Sequence, residues 1–174
     1  MERFMLTMRI PGALIVAMLM FPGSSAFAET PQWREVDWLE LMPEEDLRLL
    51  ENLPEIEHEG SGPVTLPDEI MTGRVVPEMN NTPARIPGFV VPLKTVGDQR
   101  IVEFFLVPYY GACIHVPPPP PNQIIHVKYE KGLKLDVLYD PYWVQGVLKT
   151  EKTDNVVASS SYTIVADDIE PYTD

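Results

Sequence analysis

The chain is poor in the residues that usually announce chemistry. It has one cysteine and three histidines in 174 residues. A single cysteine excludes an internal disulfide, although an exported chain usually carries paired cysteines or none. Basic residues are also scarce, 13 Lys and Arg against 26 Asp and Glu, for a net charge of −13. A surface of that sign repels phosphate backbones, so nucleic acid is excluded as a natural partner and cationic partners are weakly favoured. Phosphate loops, dinucleotide fingerprints, C-x-x-C pairs and nucleophile elbows are missing. Ser159, Ser160 and Ser161 stand together without the context of a catalytic serine. No catalytic residue is assigned, and an enzyme is the less favoured class.

Beyond residue 28 no apolar run is long enough to cross a bilayer, so stable membrane insertion is not expected. The N-terminus does carry a run, Ile10 through Phe21, preceded by Arg3 and Arg9 and followed by Ala26-Phe27-Ala28. A basic start, a short apolar core and a small-x-small site make a secretory signal peptide, cut before Glu29. No cysteine lies at the cut, so no lipid anchor is expected there. The expected location is periplasmic. Loss of Glu2, Arg3 and Arg9 with the leader changes the net charge to −14.

The remaining chain suits one domain. We read residues 1–28 as leader, 29–67 as an arm, short helix and linker, and 68–174 as a β domain. In the arm, Trp33, Val36, Trp38, Leu39 and Leu41 are apolar residues among acids. "PEEDLRLLENL" places Pro43 at a first helical position with Glu44, Glu45 and Asp46 in the first turn, and Leu47, Leu50 and Leu53 on one face. The following "EIEHEGSGPVTLPDE" reads as a linker, with His58 a weak ligand candidate.

From Ile70 onward the chain divides into short β-branched and aromatic runs: "IMTGRVV", "RIPGFVVPL", "RIVEFFLVPY", "NQIIHVKY", "YWVQGVLKT" and "SSYTIVADDI". "VGDQ" and "EKTDN" read as hairpin loops. Gly73, Gly88 and Gly146 beside or inside these runs mark bulges, bends or close backbone approach. With no helix for a βαβ crossover, the expected fold is mainly β: a small antiparallel, OB-like barrel with a short N-terminal helix.

What the chain does have is concentrated in "YYGACIHVPPPPPNQIIHV", residues 109–127. Cys113 and His115 are two apart, which on a strand puts a thiol and an imidazole on one side. Both suit zinc, or alternatively copper(I). His126 is the third candidate ligand, brought back if the prolines turn the chain. Equally, Cys113 reads as a packed core thiol or a redox-sensitive one, His115 as a loop brace and His126 as a surface residue. Pro117, Pro118, Pro119, Pro120 and Pro121 lack backbone donors and favour a stiff polyproline II segment. That segment either braces its own domain against Tyr109, Tyr110 and Tyr129 or is displayed to a partner. Asn122 and Gln123 can bond the proline carbonyls through their side-chain amides.

The stretches "RIPGFVVPL", "FFLVPYYGACIHVPPPPPNQIIHV" and "VDWLELMP" resemble the DUF3299 family of small exported bacterial proteins, over nearly all the chain beyond the leader. Cys113, His115, Pro117, Pro118, Pro119, Asn122 and Gln123 match the family's signature positions. At His126 the family tolerates other residues. The resemblance implies a periplasmic accessory role, in metal homeostasis or beside an envelope ABC transporter and its periplasmic components. It raises zinc at Cys113 and His115 as a cofactor expectation. The alternative is a metal-free interaction module of the cell envelope.

Overall fold

β-branched and aromatic residues alternate with small or polar ones through the second half of the chain, and these runs become strands. The computed structural model describes residues 32–53, 66–112, 119–135, 137 and 139–173, all within the unit Pro31–Asp174. The expected leader, His58, Cys113, His115, Pro117 and Pro118 lie outside the described residues. In chain order the elements are β1 (Arg34–Glu35), α1 (Glu44–Glu51), α2 (Asp68–Met71), β2 (Thr82–Val96), β3 (Arg100–Val107), β4 (Ile125–Leu133), β5 (Tyr142–Lys149), β6 (Thr153–Asp154), β7 (Ser159–Ser160) and β8 (Tyr162–Pro171). Short 3-10 turns occupy Trp38–Leu41, Pro77–Met79 and Pro121–Gln123.

Five strands close into the expected small OB-like barrel in the order β2-β3-β4-β8-β5, with β5 returning to β2. Closure rests on the length of β2. Its first half, Thr82 to Gly88, pairs with β5, and its second half, Phe89 to Val96, pairs with β3. The four other pairings are antiparallel, but β4 and β8 run parallel, so the sheet is mixed. Each half of β2 has a long partner on one side only, so like an edge strand it tolerates Pro83, Pro87 and Pro92. At Gly146 the β5–β8 register shifts, and an added Cβ would lie 2.4 Å from the Val165 carbonyl oxygen. Only glycine allows that approach.

Alternation puts Ile86, Val90, Phe104, Leu106, Ile125, Val127, Val144, Leu148, Tyr162 and Ile164 inside the barrel. Val36, Trp38 and Leu41 join the same core, so the arm is an integral part of the domain. Tyr162 explains how the arm is held. It is wholly buried; its hydroxyl accepts from the Val76 N–H at 2.8 Å and donates to the Leu41 carbonyl at 2.9 Å. Burial pushes its ionisation up to about 12, opposed by the bond from Val76.

Two local expectations are corrected. "IMTGRVV" is not a strand: α2 ends at Met71, Thr72 caps it, and Gly73 turns the chain at φ +66. Its apolar residues instead pack onto the barrel, with Ile70 buried and Val75 and Val76 against the core. Pro43 is the residue before α1 rather than its first helical residue. The expected helix is present, but its buried residue is Asp46, while Leu47 and Leu50 are half-buried and Leu49 exposed. Asp46 pairs with Arg74, and that ion pair turns the helix toward the barrel.

Candidate binding site at the barrel mouth

The signature segment joins β3 to β4 and enters the described structure again at Pro119. Pro119 and Pro120 are buried and Pro121 is half-buried. Pro121 packs where Gly73 leaves room: a Cβ on Gly73 would stand 2.5 Å from the Pro121 Cβ. The Pro121 carbonyl accepts the Ser161 N–H at 2.8 Å, and the Pro120 carbonyl accepts the Gln123 N–H at 2.8 Å. This part of the proline run braces its own domain.

Asn122 and Gln123 use their amides differently from the expectation. Asn122 Nδ2 donates to the Arg74 carbonyl at 2.8 Å. Gln123 Nε2 donates to the Trp38 carbonyl at 2.8 Å and to the Asn122 carbonyl at 3.3 Å. Both amides therefore tie distant chain segments rather than the prolines. The backbone bonds that a proline run cannot make are replaced by side-chain bonds to the arm and to the Gly73–Arg74 turn.

His126 is buried on the outer face of β4. Its Nε2 pairs with Glu103 Oε1 at 2.7 Å, and its Nδ1 lies 3.2 Å from Thr153 Oγ1. Phe105 meets the ring edge-on with centroids 5.9 Å apart. Both ring nitrogens are thus engaged, and a ligand role would require release of Glu103 or Thr153. Among the described residues no three His, Cys, Asp or Glu side chains are grouped to hold a metal.

The tyrosines that flank the signature divide between core and surface. Tyr129 belongs to the core, where burial and Asp168 raise its ionisation. Tyr109 and Tyr110 are half exposed. Tyr110 stands edge-on to Phe89 and to Tyr139, with centroids at 6.2 and 6.1 Å. This places an aromatic cluster on the surface.

Next to that cluster lies a cleft of about 220 Å³, lined by Trp38, Pro87, Gly88, Phe89, Pro108, Pro141 and Tyr172. Its position follows from the topology. β2 changes partner between Gly88 and Phe89, so β5 and β3 diverge there and their ends, Pro141 and Pro108, form opposite walls. Trp38 Nε1 donates to the Pro87 carbonyl at 2.7 Å, and the Tyr172 N–H donates to the Pro141 carbonyl at 3.0 Å. The first bond fixes the indole as a cleft wall; the second holds the Tyr172 backbone, and its ring packs on Trp143. Three lining residues are prolines, so the walls are short of backbone donors. Of these lining residues only Trp38 and Gly88 stood out in the sequence, and neither as part of a cleft. The usable signal was the recurrence of proline and tyrosine immediately after strand-like runs.

Three comparisons bear on identity. The family model described as "Protein of unknown function (DUF3299)" matches residues 38–171. No curated protein matches the chain. A crystal structure of a DUF3299 family protein from Pseudomonas aeruginosa PAO1, at 2.45 Å resolution, is 34% identical with a TM-score of 0.63. The match covers 82% of this chain and 98% of that one.

Proposed function

Because the chain belongs to the DUF3299 family, whose description states no activity, we propose from the geometry that it is an exported binding or accessory protein that works by protein–protein contact in the cell envelope. The supporting observation is the barrel-mouth cleft with its exposed aromatic neighbours, Tyr110 and Tyr139. Aromatic side chains left in solvent around an apolar cleft are more useful to a partner than to the fold. The N-terminal leader motif supports export. An envelope ABC transporter, or one of its periplasmic components, is the partner class that the family resemblance suggests. No helix among the described residues is long and apolar enough to cross a membrane.

The test is site-specific photo-cross-linking in the cell envelope. A cross-linking side chain at Tyr139 should yield a discrete adduct that one at Val156, on the β6–β7 loop, does not. Equal adducts from both positions, or none from Tyr139, would sink the proposal.

A second reading keeps zinc, or copper(I), on Cys113 and His115. Its support is the thiol and imidazole two residues apart. Bound there, the ion would serve as cargo or as a structural cross-link. Metal titration of the reduced protein and of Cys113→Ser tests it: uptake that survives the substitution removes the site.

A further inference from the structure

The cleft has the chemistry of a cation site. Trp38, Phe89 and Tyr172 present aromatic surface, and a positive charge is drawn to aromatic faces. The prolines on either wall bring no N–H, and the Pro87 and Pro141 carbonyls each already accept one bond, so any further polar contact to them uses the second lone pair and favours a donor. Asp140, beside Pro141, and Asp37, beside Trp38, are both exposed. The protein around them carries the large negative charge already described, which steers cations toward it. One step behind the lining, a guanidinium is already held in this manner. Arg85 lies 4.0 Å above the Trp143 ring, and Trp143 packs against Tyr172 with centroids 5.1 Å apart. That arginine is occupied by Glu170 at 2.9 Å, so it does not neutralise the cleft.

We propose that the barrel-mouth cleft receives an arginine or lysine side chain from a basic, extended segment of a partner protein. This inference rests on the reading of the protein as a binding module and adds the chemistry of its partner. The cation would sit against Trp38 and Tyr172, with the peptide continuing over Tyr110 and Tyr139. Extension is favoured because those rings lie beside the cleft and give flat, apolar surface on which proline or stem methylenes pack.

The experiment titrates the purified protein with three fluorescent peptides of equal length, alternating proline with arginine, lysine or glutamate. A fourth arm uses phosphatidylcholine vesicles, whose headgroup also carries a cation. The arginine and lysine peptides should bind, and the glutamate peptide and vesicles should not. Tyr172→Ala and Tyr139→Ala should each weaken arginine-peptide binding by about tenfold or more. Asp140→Lys should weaken it too, independently of the aromatic rings. Circular dichroism would confirm that each variant remains folded. Unchanged affinity in all three variants would reduce the effect to net charge and overturn the inference. Binding of the vesicles in place of the peptides would also overturn it. If the peptides fail while Tyr139 still cross-links a partner, the cation assignment falls and the binding-module reading stands.

Discussion

His126 and Glu103 meet at 2.7 Å on the outer face of neighbouring strands, although 23 residues separate them in the chain. β3 and β4 pair Phe105 with His126, which leaves Glu103 one step along the same face. The imidazole also touches Thr153 of β6 at 3.2 Å, so this histidine joins the barrel to the small β6–β7 hairpin. A group with so many internal obligations is first of all a structural one.

A double-mutant cycle measures that obligation. Glu103→Ala should lower stability by about 1–3 kcal/mol, because it leaves a buried ring nitrogen without its partner. His126→Leu alone should also destabilise. The double variant should lose less than the sum, with a coupling of at least about 1 kcal/mol by urea denaturation. Strict additivity would show that the two side chains do not interact.

Gly73 should be intolerant of any side chain. Its φ is +66, and an added Cβ would meet Pro121 at 2.5 Å and Ser161 Oγ at 2.6 Å. Gly73→Ala is expected to destabilise by about 2–4 kcal/mol, combining backbone strain with overpacking. Gly97 offers the control: it has φ +50 and nothing within 4 Å of an added Cβ. Gly97→Ala should lose only about 1 kcal/mol. Equal denaturation midpoints for the two variants would contradict the packing at Pro121.

The two arginine–carboxylate pairs of α1 should differ widely. Asp46 is wholly buried against Arg74, and its Oδ2 has no partner among the described residues. Glu44 and Arg48 are both solvent-exposed. Arg74→Ala leaves a buried carboxylate unpaired and should lose about 3 kcal/mol. Arg48→Ala should lose no more than about 0.5 kcal/mol. Comparison of the two melting curves checks the order; a reversed order would mean that α1 is not anchored through Asp46.

Alkaline pH should loosen the domain through Tyr162. Its ionisation is raised from 10.0 to about 12 in the folded protein. The unfolded chain therefore loses its proton first. The stabilisation is complete below pH 10 and is lost as pH climbs from 10 toward 12. Tyr129, raised in the same sense, adds to the slope. Tyr162→Phe should flatten the decline over this window. It should also lower stability at neutral pH by about 1–2 kcal/mol, since the Val76 N–H and the Leu41 carbonyl lose their shared partner. An identical alkaline slope in the variant would remove Tyr162 as the cause.

The strands from Arg85 onward were legible without coordinates, because period-two alternation records which side of a strand is buried. "RIPGFVVPL", "RIVEFFLVPY" and "YWVQGVLKT" all became barrel strands; the alternation is plain in β2, whereas the end of β3 is buried on both faces, Phe104 and Leu106 inside the barrel and Phe105 and Val107 in a second cluster. "IMTGRVV" misled because β-branched residues are equally suited to packing on a barrel from an irregular segment. Propensity describes a local backbone, whereas burial of Ile70, Val75 and Val76 is decided by a surface that other strands supply. The three glycines were legible as crowded positions, since the missing Cβ is a property of the residue itself. What crowds them was not.

The binding site divides the same way. By itself the amino-acid sequence determined the rare residues: one cysteine near two histidines, a run of five prolines, an acidic balance and a basic-then-apolar start. Tertiary structure alone decided that His126 faces Glu103 and Thr153, that Asn122 and Gln123 hold the Arg74 and Trp38 carbonyls, and that Pro119 and Pro120 are covered. It also brought Trp38, Phe89, Pro108, Pro141 and Tyr172 to one cleft. The physical reason is sequence separation. A cleft wall is made where β2 changes partners, and that event depends on the closure of a barrel whose strands lie tens of residues apart. Local chemistry can be read one residue at a time, but convergence of side chains exists only after the backbone has closed.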